Sequence, residues 1–279
     1  MQILVIGSTG QLGCELMGQY PDAIGISSKD FDFKQTTKIQ SYLNELGQFD
    51  CIINAMAMND TVLAEKEVGD AFKLNAYALK EISLYATVTN ARLFHISTDY
   101  VFNGSTGNYK EEDLPSPLNS YGLSKLTGEY FVKAYAKDYC ILRLASLYGV
   151  KSVHGNFLEK IYSKFKVGDS LKIVDDQYMS PTNTLDSINT IKALLSLDKL
   201  PSILHCSGQG RCSWHEFAST FFSHLGEDIL IEKCSWQDFP SALQRPIDSS
   251  FNTTKIKQYL TMPTWQDSLK NYVEKRHLK

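Results

Sequence analysis

Tyr121 and Lys125 lie four residues apart in the segment YGLSK, a spacing that can support proton transfer. On a helix, residues i and i+4 share a face, so the ammonium group would lie beside the phenol. A free phenol has a pKa of about 10, which is too high for ready proton exchange at neutral pH. A neighbouring cation favours the phenolate and would lower that pKa. The pair therefore predicts a tyrosine that exchanges a proton with a substrate.

The same spacing occurs a second time, from Tyr162 to Lys166, so the motif alone does not identify the site. Tyr121, however, follows a predicted buried strand that ends in the hydroxyl residue Thr98, and then a long loop. Open α/β sheets bind ligands outside the carboxyl ends of their strands. Thr98 could there hydrogen-bond a substrate carbonyl while Tyr121 delivers a proton to it. Tyr162 has no comparable partner and is expected on an exposed, lysine-rich helix.

A glycine-spaced turn, GSTGQLG at 7–13, follows the first apolar run directly and precedes a stretch with helical character. Glycines at Gly7, Gly10 and Gly13 permit a tight turn and let the backbone approach a pyrophosphate. The helix N-terminus then offers free N–H donors and the positive end of its dipole. This segment predicts a dinucleotide-binding loop.

The end of the second predicted strand indicates which dinucleotide binds. An acidic residue there would bind both ribose hydroxyls and favour NAD, but positions 27 and 28 are Ser27 and Ser28. Two hydroxyls followed by Lys29 can accommodate a 2′-phosphate, which favours NADPH. Asp30 and Asp32 follow closely, so NADH stays open.

Short apolar runs separated by helical stretches must position these residues. Such runs suit strands that are buried on both faces of a parallel sheet, and their alternation with helices indicates repeated βαβ units. The predicted strands are Ile3–Ile6, Cys51–Ile53, Leu93–Ile96 and Cys140–Leu144, and the clearest helix is Ala71–Thr87. The fold class is therefore α/β, a Rossmann-type doubly wound parallel sheet. We expect a cofactor domain over 1–150, rejoined by part of 180–208, and a smaller, mainly substrate-binding lobe over 151–279.

The composition limits the other classes of function. A net charge of −3 and a sequence pI near 6.1 argue against nucleic-acid binding through bulk phosphate neutralisation. No run of about 18 apolar residues is present, so no membrane segment is expected. The six cysteines form no CxxC and indicate reduced thiols in a cytoplasmic protein. The histidines show no metal-ligand spacing, so no metal site is predicted. The six histidines are His95, His154, His205, His215, His224 and His277.

Two longer motifs carry a resemblance to a known family. STDYVF at 97–102 and PLNSYGLSK at 117–125 resemble those of the extended short-chain dehydrogenase/reductases, and within them of the dTDP-4-dehydrorhamnose reductases. Further matches are Asn54-Ala55, Asp176-Gln177-Tyr178 before Ser180-Pro181-Thr182, and Arg245-Pro246 with Ser249. The resemblance therefore covers nearly the whole chain.

The resemblance implies hydride transfer from a reduced nicotinamide to the C4 ketone of a nucleotide-linked 6-deoxyhexulose. Thr98 would polarise the carbonyl, Tyr121 would donate the proton, and Lys125 would tune Tyr121 and hold the nicotinamide ribose. The residues expected along the cofactor are Gly7, Thr9, Gly10, Gln11, Leu12, Gly13, Asp32, Phe33, Ala55, Ala57, Tyr121 and Lys125. Those expected to bind the substrate are Asp99, Tyr100, Ser146 and Arg245. A homodimer is compatible with this assignment.

The chain departs from the family pattern at several positions. The small, alanine-rich stretch after the third strand contains Met56 and Met58, and Met179 stands where a glycine is typical. Ser146 replaces a tryptophan that packs on the sugar, which alters the wall of the pocket directly. These departures bear on the identity of the sugar more than on the type of reaction.

Two other functions remain as alternatives. A sugar-nucleotide epimerase can use the same three catalytic residues with tightly retained NAD, whereas a dehydratase would need a glutamate where this chain has Tyr100. A non-catalytic regulatory subunit, such as the β subunit of methionine adenosyltransferase, resembles the chain in the same motifs. Retention of Thr98, Tyr121 and Lys125 favours an enzyme.

Overall fold

The computed structural model describes residues 1–151, 155–239 and 243–276. The first half of the chain alternates strands and helices, as the sequence predicts. Its elements are β1 (Ile3–Ile6), α1 (Gln11–Gln19), β2 (Ile24–Ile26), α2 (Ile39–Leu46), β3 (Cys51–Asn54), α3 (Thr61–Lys66), α4 (Val68–Phe72), α5 (Ala78–Thr89), β4 (Arg92–Thr98), α6 (Ser120–Tyr135) and β5 (Tyr139–Leu144).

Among its described residues, the second half of the chain contains shorter strands and four further helices. Its elements are β6 (Leu147–Tyr148), α7 (Phe157–Lys166), β7 (Leu171–Val174), β8 (Tyr178–Met179), β9 (Thr182–Asn183), α8 (Thr184–Leu195), β10 (Ile203–His205), β11 (Cys212–Ser213), α9 (Trp214–Leu225), β12 (Ile231–Cys234) and α10 (Trp265–Arg276). No helix among the described residues is long and apolar enough to cross a membrane.

Six parallel strands form the central sheet in the order β10-β5-β4-β3-β1-β2. The strand order reverses between β1 and β3, and a crevice opens at such a point beyond the carboxyl ends of the strands. Asn54 pairs in register with Ile6 on one side and with His95 on the other. The ends of β1, β3 and β4 therefore lie side by side at the edge where a ligand is expected. The predicted doubly wound α/β class is confirmed.

Both faces of the sheet are covered, which explains why the strands are continuous apolar runs. Successive side chains of a strand point to opposite faces. Ile3 and Val5 of β1 accordingly pack in one core with α1 and α8, whereas Leu4 and Ile6 pack in another with α2 and α5. All four are nearly or fully buried.

The predicted helix over 71–87 is interrupted. A π-helical turn, Lys73–Tyr77, separates α4 from α5. The buried Asn75 in this turn accepts a hydrogen bond from the Met58 amide (2.8 Å) and donates to the Met58 carbonyl (3.2 Å). The extra residue in the turn fits this inward-facing amide, a contact across 17 residues that a helical periodicity does not reveal.

A second core lies in the C-terminal half, around the aromatic residues of α7, α9 and α10. The parallel pair β7 and β12 borders it. The chain also returns to the central sheet, because β10 pairs with β5 and α8 contributes Ile188, Ile191 and Leu194 to the core beside β1. Residues within 180–208 thus pack with the first half of the chain.

Candidate active site

The glycines of the 7–13 turn are required by geometry. Gly7 has φ = +86°, and a Cβ atom there would lie 2.8 Å from the Met56 amide nitrogen. A Cβ atom on Gly13 would collide with the Gly7 carbonyl oxygen. The turn can therefore bring β1, α1 and the residues after β3 this close only with glycine at both positions.

Helix α1 begins at this turn with its N-terminal amides available. Gly10 is the N-cap, and within the described part of the chain no side chain caps it. The side-chain nitrogen of Gln11 is buried and, among the described residues, has no hydrogen-bond partner. Uncapped amides and an unpartnered donor at a helix N-terminus suit an anionic group. The turn therefore fits the pyrophosphate of a dinucleotide.

Beyond β2, the chain turns through Ser27, whose amide (2.8 Å) and hydroxyl (2.7 Å) both donate to Asp30. These hydrogen bonds lower the pKa of Asp30. Ser28 and Lys29 are exposed. Of the two residues expected near adenine, Asp32 is exposed in the following loop, whereas Phe33 is 3% exposed and packs in the core with Ile26 and Ile39.

The Ala55 to Met58 segment runs alongside the glycine turn. The Ala55 amide donates to the Ile6 carbonyl (2.9 Å), which continues the pairing of β1 and β3. Ala55 and Ala57 are partly exposed, and Asn75 holds Met58 through its backbone. The structure thus brings Ala55 next to Gly7, and Ala57 follows on the same segment.

Thr98 and Tyr121 meet at the carboxyl edge of the sheet. Thr98 ends β4, and Tyr121 is the second residue of α6, whose N-cap Asn119 accepts a hydrogen bond from the Gly122 amide (2.9 Å). A Cβ atom on Gly122 would collide with the Tyr100 carbonyl oxygen, so this glycine allows the helix to approach the strand end. The Tyr100 and Tyr121 rings meet edge to face with centroids 5.7 Å apart.

Tyr121 is more firmly protonated than the sequence predicts. Burial raises its pKa above the ordinary value, Asp99 and Tyr100 raise it further, and a hydrogen bond with Thr98 opposes them. The expectation that a neighbouring cation lowers this pKa is therefore wrong in direction. The reason is the burial of the phenol, and the Lys125 ammonium group donates to the Ile96 carbonyl oxygen (2.6 Å) rather than to the phenol.

Lys125 lies one turn after Tyr121 and is 1% exposed. Burial lowers its pKa to about 7, and the carboxylate of Glu129 acts in the opposite direction. A lysine with a pKa in this range can gain or lose its proton near neutral pH. The arrangement supplies a hydroxyl, a protonated phenol and a titratable ammonium group at one edge of the sheet, beside the glycine turn.

The predicted substrate residues lie near this edge, and Ser146 follows the end of β5, where Leu144 pairs in register with Thr98. Asp99 is buried and accepts a hydrogen bond from the Thr98 hydroxyl (3.1 Å). Burial and the nearby Asp99 raise the pKa of Tyr100 to about 12, and the guanidinium group of Arg245 opposes this shift. The exposed Arg245 therefore lies within electrostatic range of Tyr100. Ser146 follows β5 in a left-handed conformation (φ = +44°), which a large aromatic residue seldom adopts.

A segment of the C-terminal half closes this edge. The Ser249 hydroxyl donates to Asp99 (2.5 Å), and the Asn119 amide donates to the Gln244 carbonyl (2.9 Å). Neither contact is among the predictions made from the sequence. The preference of Asn for helix N-caps could have identified Asn119, but no local signal identifies a partner so distant in sequence.

Tyr162 occupies a different place. It lies on α7 in the C-terminal half, with the Arg276 guanidinium 4.0 Å from its ring centroid and Phe221 packed nearby. The side chain is half-buried because α9 and α10 cover this face of the helix, whereas the lysines of α7 are exposed as predicted.

No cluster of three or more His, Cys, Asp or Glu side chains that could hold a metal ion occurs among residues 1–151, 155–239 and 243–276. Of the histidines weighed as ligands, His154 and His277 lie outside these described residues. All six cysteines lie within them and carry free thiols.

Residues 1–278 match the protein family described as RmlD substrate binding domain. The chain is 32% identical over 283 residues to the spore coat polysaccharide biosynthesis protein SpsK of Bacillus subtilis, covering 99% of this chain and 98% of that protein. It is 31% identical over 291 residues to the dTDP-4-dehydrorhamnose reductase of Salmonella typhimurium, covering 97% and 96%.

Solved structures agree with this result. The crystal structure of dTDP-4-dehydrorhamnose reductase from Bacillus anthracis in complex with NADP has a TM-score of 0.92 and 31% identity, covering 98% of this chain and 99% of that one. The similarity extends through the central sheet and the C-terminal half.

Proposed function

The chain belongs to the RmlD substrate binding domain family, and on this basis we propose that it is an NADPH-dependent reductase of a nucleotide-linked 4-keto-6-deoxyhexulose. The class of reaction is that of the dTDP-4-dehydrorhamnose reductases, in deoxysugar and polysaccharide biosynthesis. One observation carries the proposal. Thr98, Tyr121 and Lys125 converge at the carboxyl edge of the sheet beside a glycine turn that fits a dinucleotide.

In the proposed reaction, the ketone oxygen lies between the Thr98 hydroxyl and the Tyr121 phenol. Thr98 polarises the carbonyl, and Tyr121 gives its proton to the oxygen as negative charge develops there. The raised pKa of Tyr121 keeps the phenol protonated at neutral pH, which is the form that a reduction needs. A bound reduced nicotinamide supplies the hydride to C4.

The cofactor is proposed to lie across the ends of β1 and β3. Gly7, Thr9, Gly10, Gln11, Leu12 and Gly13 would hold the pyrophosphate, with Asp32 and Phe33 toward adenine and Ala55 and Ala57 along the nucleotide. Lys125 would hold the ribose next to the nicotinamide. The exposed Ser28 and Lys29 support a site for a 2′-phosphate, and the NADP complex of the Bacillus anthracis relative points to the same cofactor.

We propose that residues 1–150, with the returning part of 180–208, bind the cofactor, and that 151–279 mainly form the substrate lobe. Asp99, Tyr100, Ser146 and Arg245 would bind the nucleotide sugar. The exposed guanidinium group of Arg245 suits the diphosphate, since arginine pairs well with phosphate oxygens. Ser146, smaller than the tryptophan expected there, would leave room beside the sugar.

A homodimer and a cytoplasmic location complete the proposal. The exposed apolar side chains of Leu123, Tyr130 and Tyr135 on α6 support a partner on this helix. Light scattering on the purified protein tests the dimer, and a single mass of one chain at micromolar concentration would contradict it.

The decisive assay follows loss of the nicotinamide absorbance of NADPH or NADH with a panel of dTDP-, UDP- and GDP-linked 4-keto-6-deoxy sugars. We expect stoichiometric oxidation of NADPH with a dTDP-linked ketone. Conversion of a sugar nucleotide with no net NADPH consumption would identify an epimerase. Cofactor binding without any conversion would favour a regulatory subunit.

A further inference from the structure

Glu129 and Arg143 form an ion pair in the interior of the molecule, beside the proposed catalytic residues. The side chain of Glu129 is 0% exposed and that of Arg143 is 1% exposed. Arg143 donates from Nε to Glu129 Oε1 (2.9 Å) and from Nη2 to Oε2 (2.7 Å). Ser97 donates its hydroxyl to the same Oε1 at 2.6 Å. The carboxylate therefore accepts three hydrogen bonds.

The pair connects the elements that carry the reacting groups. Ser97 directly precedes Thr98 on β4, and Glu129 lies one helical turn after Lys125 on α6. Burying two charges removes them from water, and the attraction between them repays this cost poorly compared with apolar packing. A stabilising role alone therefore gives little reason for a charged pair at this position.

Arg143 is fixed from its other side as well. Its Nη1 atom lies 3.3 Å from His205 Nε2, and His205 Nδ1 lies 2.9 Å from the Tyr109 carbonyl oxygen. Since a carbonyl can only accept, Nδ1 carries the proton and Nε2 accepts from Arg143. Burial and the nearby Arg143 lower the pKa of His205 well below its ordinary value, so the ring is neutral. The Phe102 ring covers the guanidinium group at 5.0 Å.

The titratable groups around Lys125 differ in their charge and in their effect on its pKa. From its own helix it faces Tyr121 and Glu129, and from β4 it faces His95, which burial and Lys125 keep neutral. Glu129 is the neighbour that favours the ammonium form. Lys133, one turn beyond Glu129, experiences both Glu129 and Arg143, whose effects oppose each other. Of the two charges of the pair, that of Glu129 lies one helical turn from Lys125 and favours its ammonium form.

We propose that Glu129, anchored by Arg143, is a positioning residue that holds Ser97 and Thr98 against α6 and favours the cationic form of Lys125. The proposal rests on the proposed function only in treating Thr98 and Lys125 as catalytic. The charge relationship among Glu129, Arg143 and Lys125 is a property of the protein without substrate or cofactor.

The test measures the titration of Lys125 directly. Protein labelled with ¹³C at the lysine ε-carbon is followed by NMR without cofactor from about pH 5 to about pH 11, a range that brackets the Lys125 pKa of about 7, and Lys125→Met identifies the signal. We expect the midpoint of Lys125 to fall by about one pH unit in Glu129→Gln and in the neutral pair Glu129→Gln/Arg143→Met. Glu129→Asp keeps the charge and should keep the midpoint close to that of the wild type.

A matched pair elsewhere serves as the control. Ser97 and Arg143 lie near the carboxyl ends of β4 and β5, and Arg92 and Asp138 lie at the amino ends of these two strands. The Arg92 Nε and Asp138 Oδ2 atoms are 3.1 Å apart. The double variant Arg92→Met/Asp138→Asn should leave the Lys125 midpoint unchanged. An unchanged midpoint in both Glu129→Gln variants would overturn the proposal. Equal Lys125 midpoints in Glu129→Asp and Glu129→Gln would also overturn it. If the variant Glu129→Gln/Arg143→Met could not fold at all, the ion pair would serve stability alone, and the proposal would again be overturned.

The kinetic consequence is separate from the titration. In Glu129→Gln the alkaline limb of kcat should move to lower pH together with the Lys125 midpoint, whereas KM for the sugar nucleotide should stay the same. Wild-type protein that reduces no ketosugar would defeat the proposed function, yet the NMR titration would still decide the coupling.

Discussion

The Ser249 hydroxyl donates a 2.5 Å hydrogen bond to Asp99, although 150 residues separate the two in the chain. Thr98 donates to the other carboxylate oxygen of Asp99, and the side chain is buried. Burial raises the pKa of Asp99 from 3.8 to about 6, against the hydrogen bonds from Ser249 and Thr98, which lower it. A carboxylate adjacent to the proposed catalytic groups is thus held by a residue of the C-terminal half.

This raised pKa predicts a pH-dependent gain in stability for Asp99→Asn. Between about pH 4 and 6 the folded protein holds a proton that the unfolded chain has lost, so wild-type stability falls as the pH rises through this interval. Above it, the ionised Asp99 costs on the order of 3 kcal/mol. Asp99→Asn should therefore be more stable than the wild type at pH 7.5 and lose this advantage toward pH 4, as measured by urea unfolding.

Asp30→Asn is the opposing control. Hydrogen bonds from Ser27 lower the pKa of Asp30, so its ionised form contributes stability above its ordinary pKa, which is lost as the pH falls. Asp30→Asn should destabilise the protein at pH 7.5 and have less effect in acid. A difference between Asp99→Asn and wild type that does not change with pH would contradict the burial argument.

Tyr121→Phe should lower kcat by about 10³-fold, because general acid catalysis by one side chain contributes roughly 10²–10⁴. NADPH binding, followed by fluorescence titration, should change little, since the ring and its contact with Tyr100 remain. Tyr162→Phe removes the phenol of the other YxxxK segment, which packs against Arg276 far from the sheet edge, and should keep full activity. Equal activities of the two variants would exclude Tyr121 as the proton donor.

Gly13→Ala should weaken NADPH binding by about tenfold or more. The added Cβ collides with the Gly7 carbonyl and forces the turn open, a strain of about 1–3 kcal/mol. Gly69→Ala is a matched helical change, since a Cβ atom there meets nothing within 4 Å. It should leave binding intact and raise the free energy of unfolding by about 0.5–1 kcal/mol. Isothermal titration with NADPH distinguishes the two, and similar affinities would mean that the turn does not hold the cofactor.

Lys29→Ala should raise KM for NADPH by about tenfold, through loss of a charge-assisted contact to the 2′-phosphate, and should leave KM for NADH unchanged. Lys38→Ala removes a cation from the short helix after this loop and should alter neither constant. Parallel changes in both KM values for Lys29→Ala would mean that the lysine does not read the 2′-phosphate.

The strands of the sheet could be predicted because each one is a short, continuous run of apolar residues. The four predicted strands occur within a few residues of their expected bounds, since a strand buried on both faces must be continuously apolar. The interruption at Lys73–Tyr77 could not be predicted, because it depends on the contact between Asn75 and Met58. Local periodicity contains no information on such a partner.

The candidate site was predictable in its residue types but not in its electrostatics. The YxxxK spacing together with the strand end at Thr98 predicted Tyr121 and Lys125, yet burial raises the pKa of Tyr121 and lowers that of Lys125. Burial is a tertiary property, and the direction of the Lys125 ammonium toward Ile96 depends on how α6 packs on β4. The contacts made by Ser249 and by Arg143 likewise join distant segments.

The hydrogen bonds from Asn119 to Gln244 and from Ser249 to Asp99 also have a consequence for biogenesis. Ribosomes make a chain from its N-terminus, and structural units generally fold as they emerge. All six strands of the central sheet are translated before Gln244. A nascent chain can therefore acquire its nucleotide cleft while Asp99 still lacks Ser249, so that competence for chemistry matures after the cleft has formed.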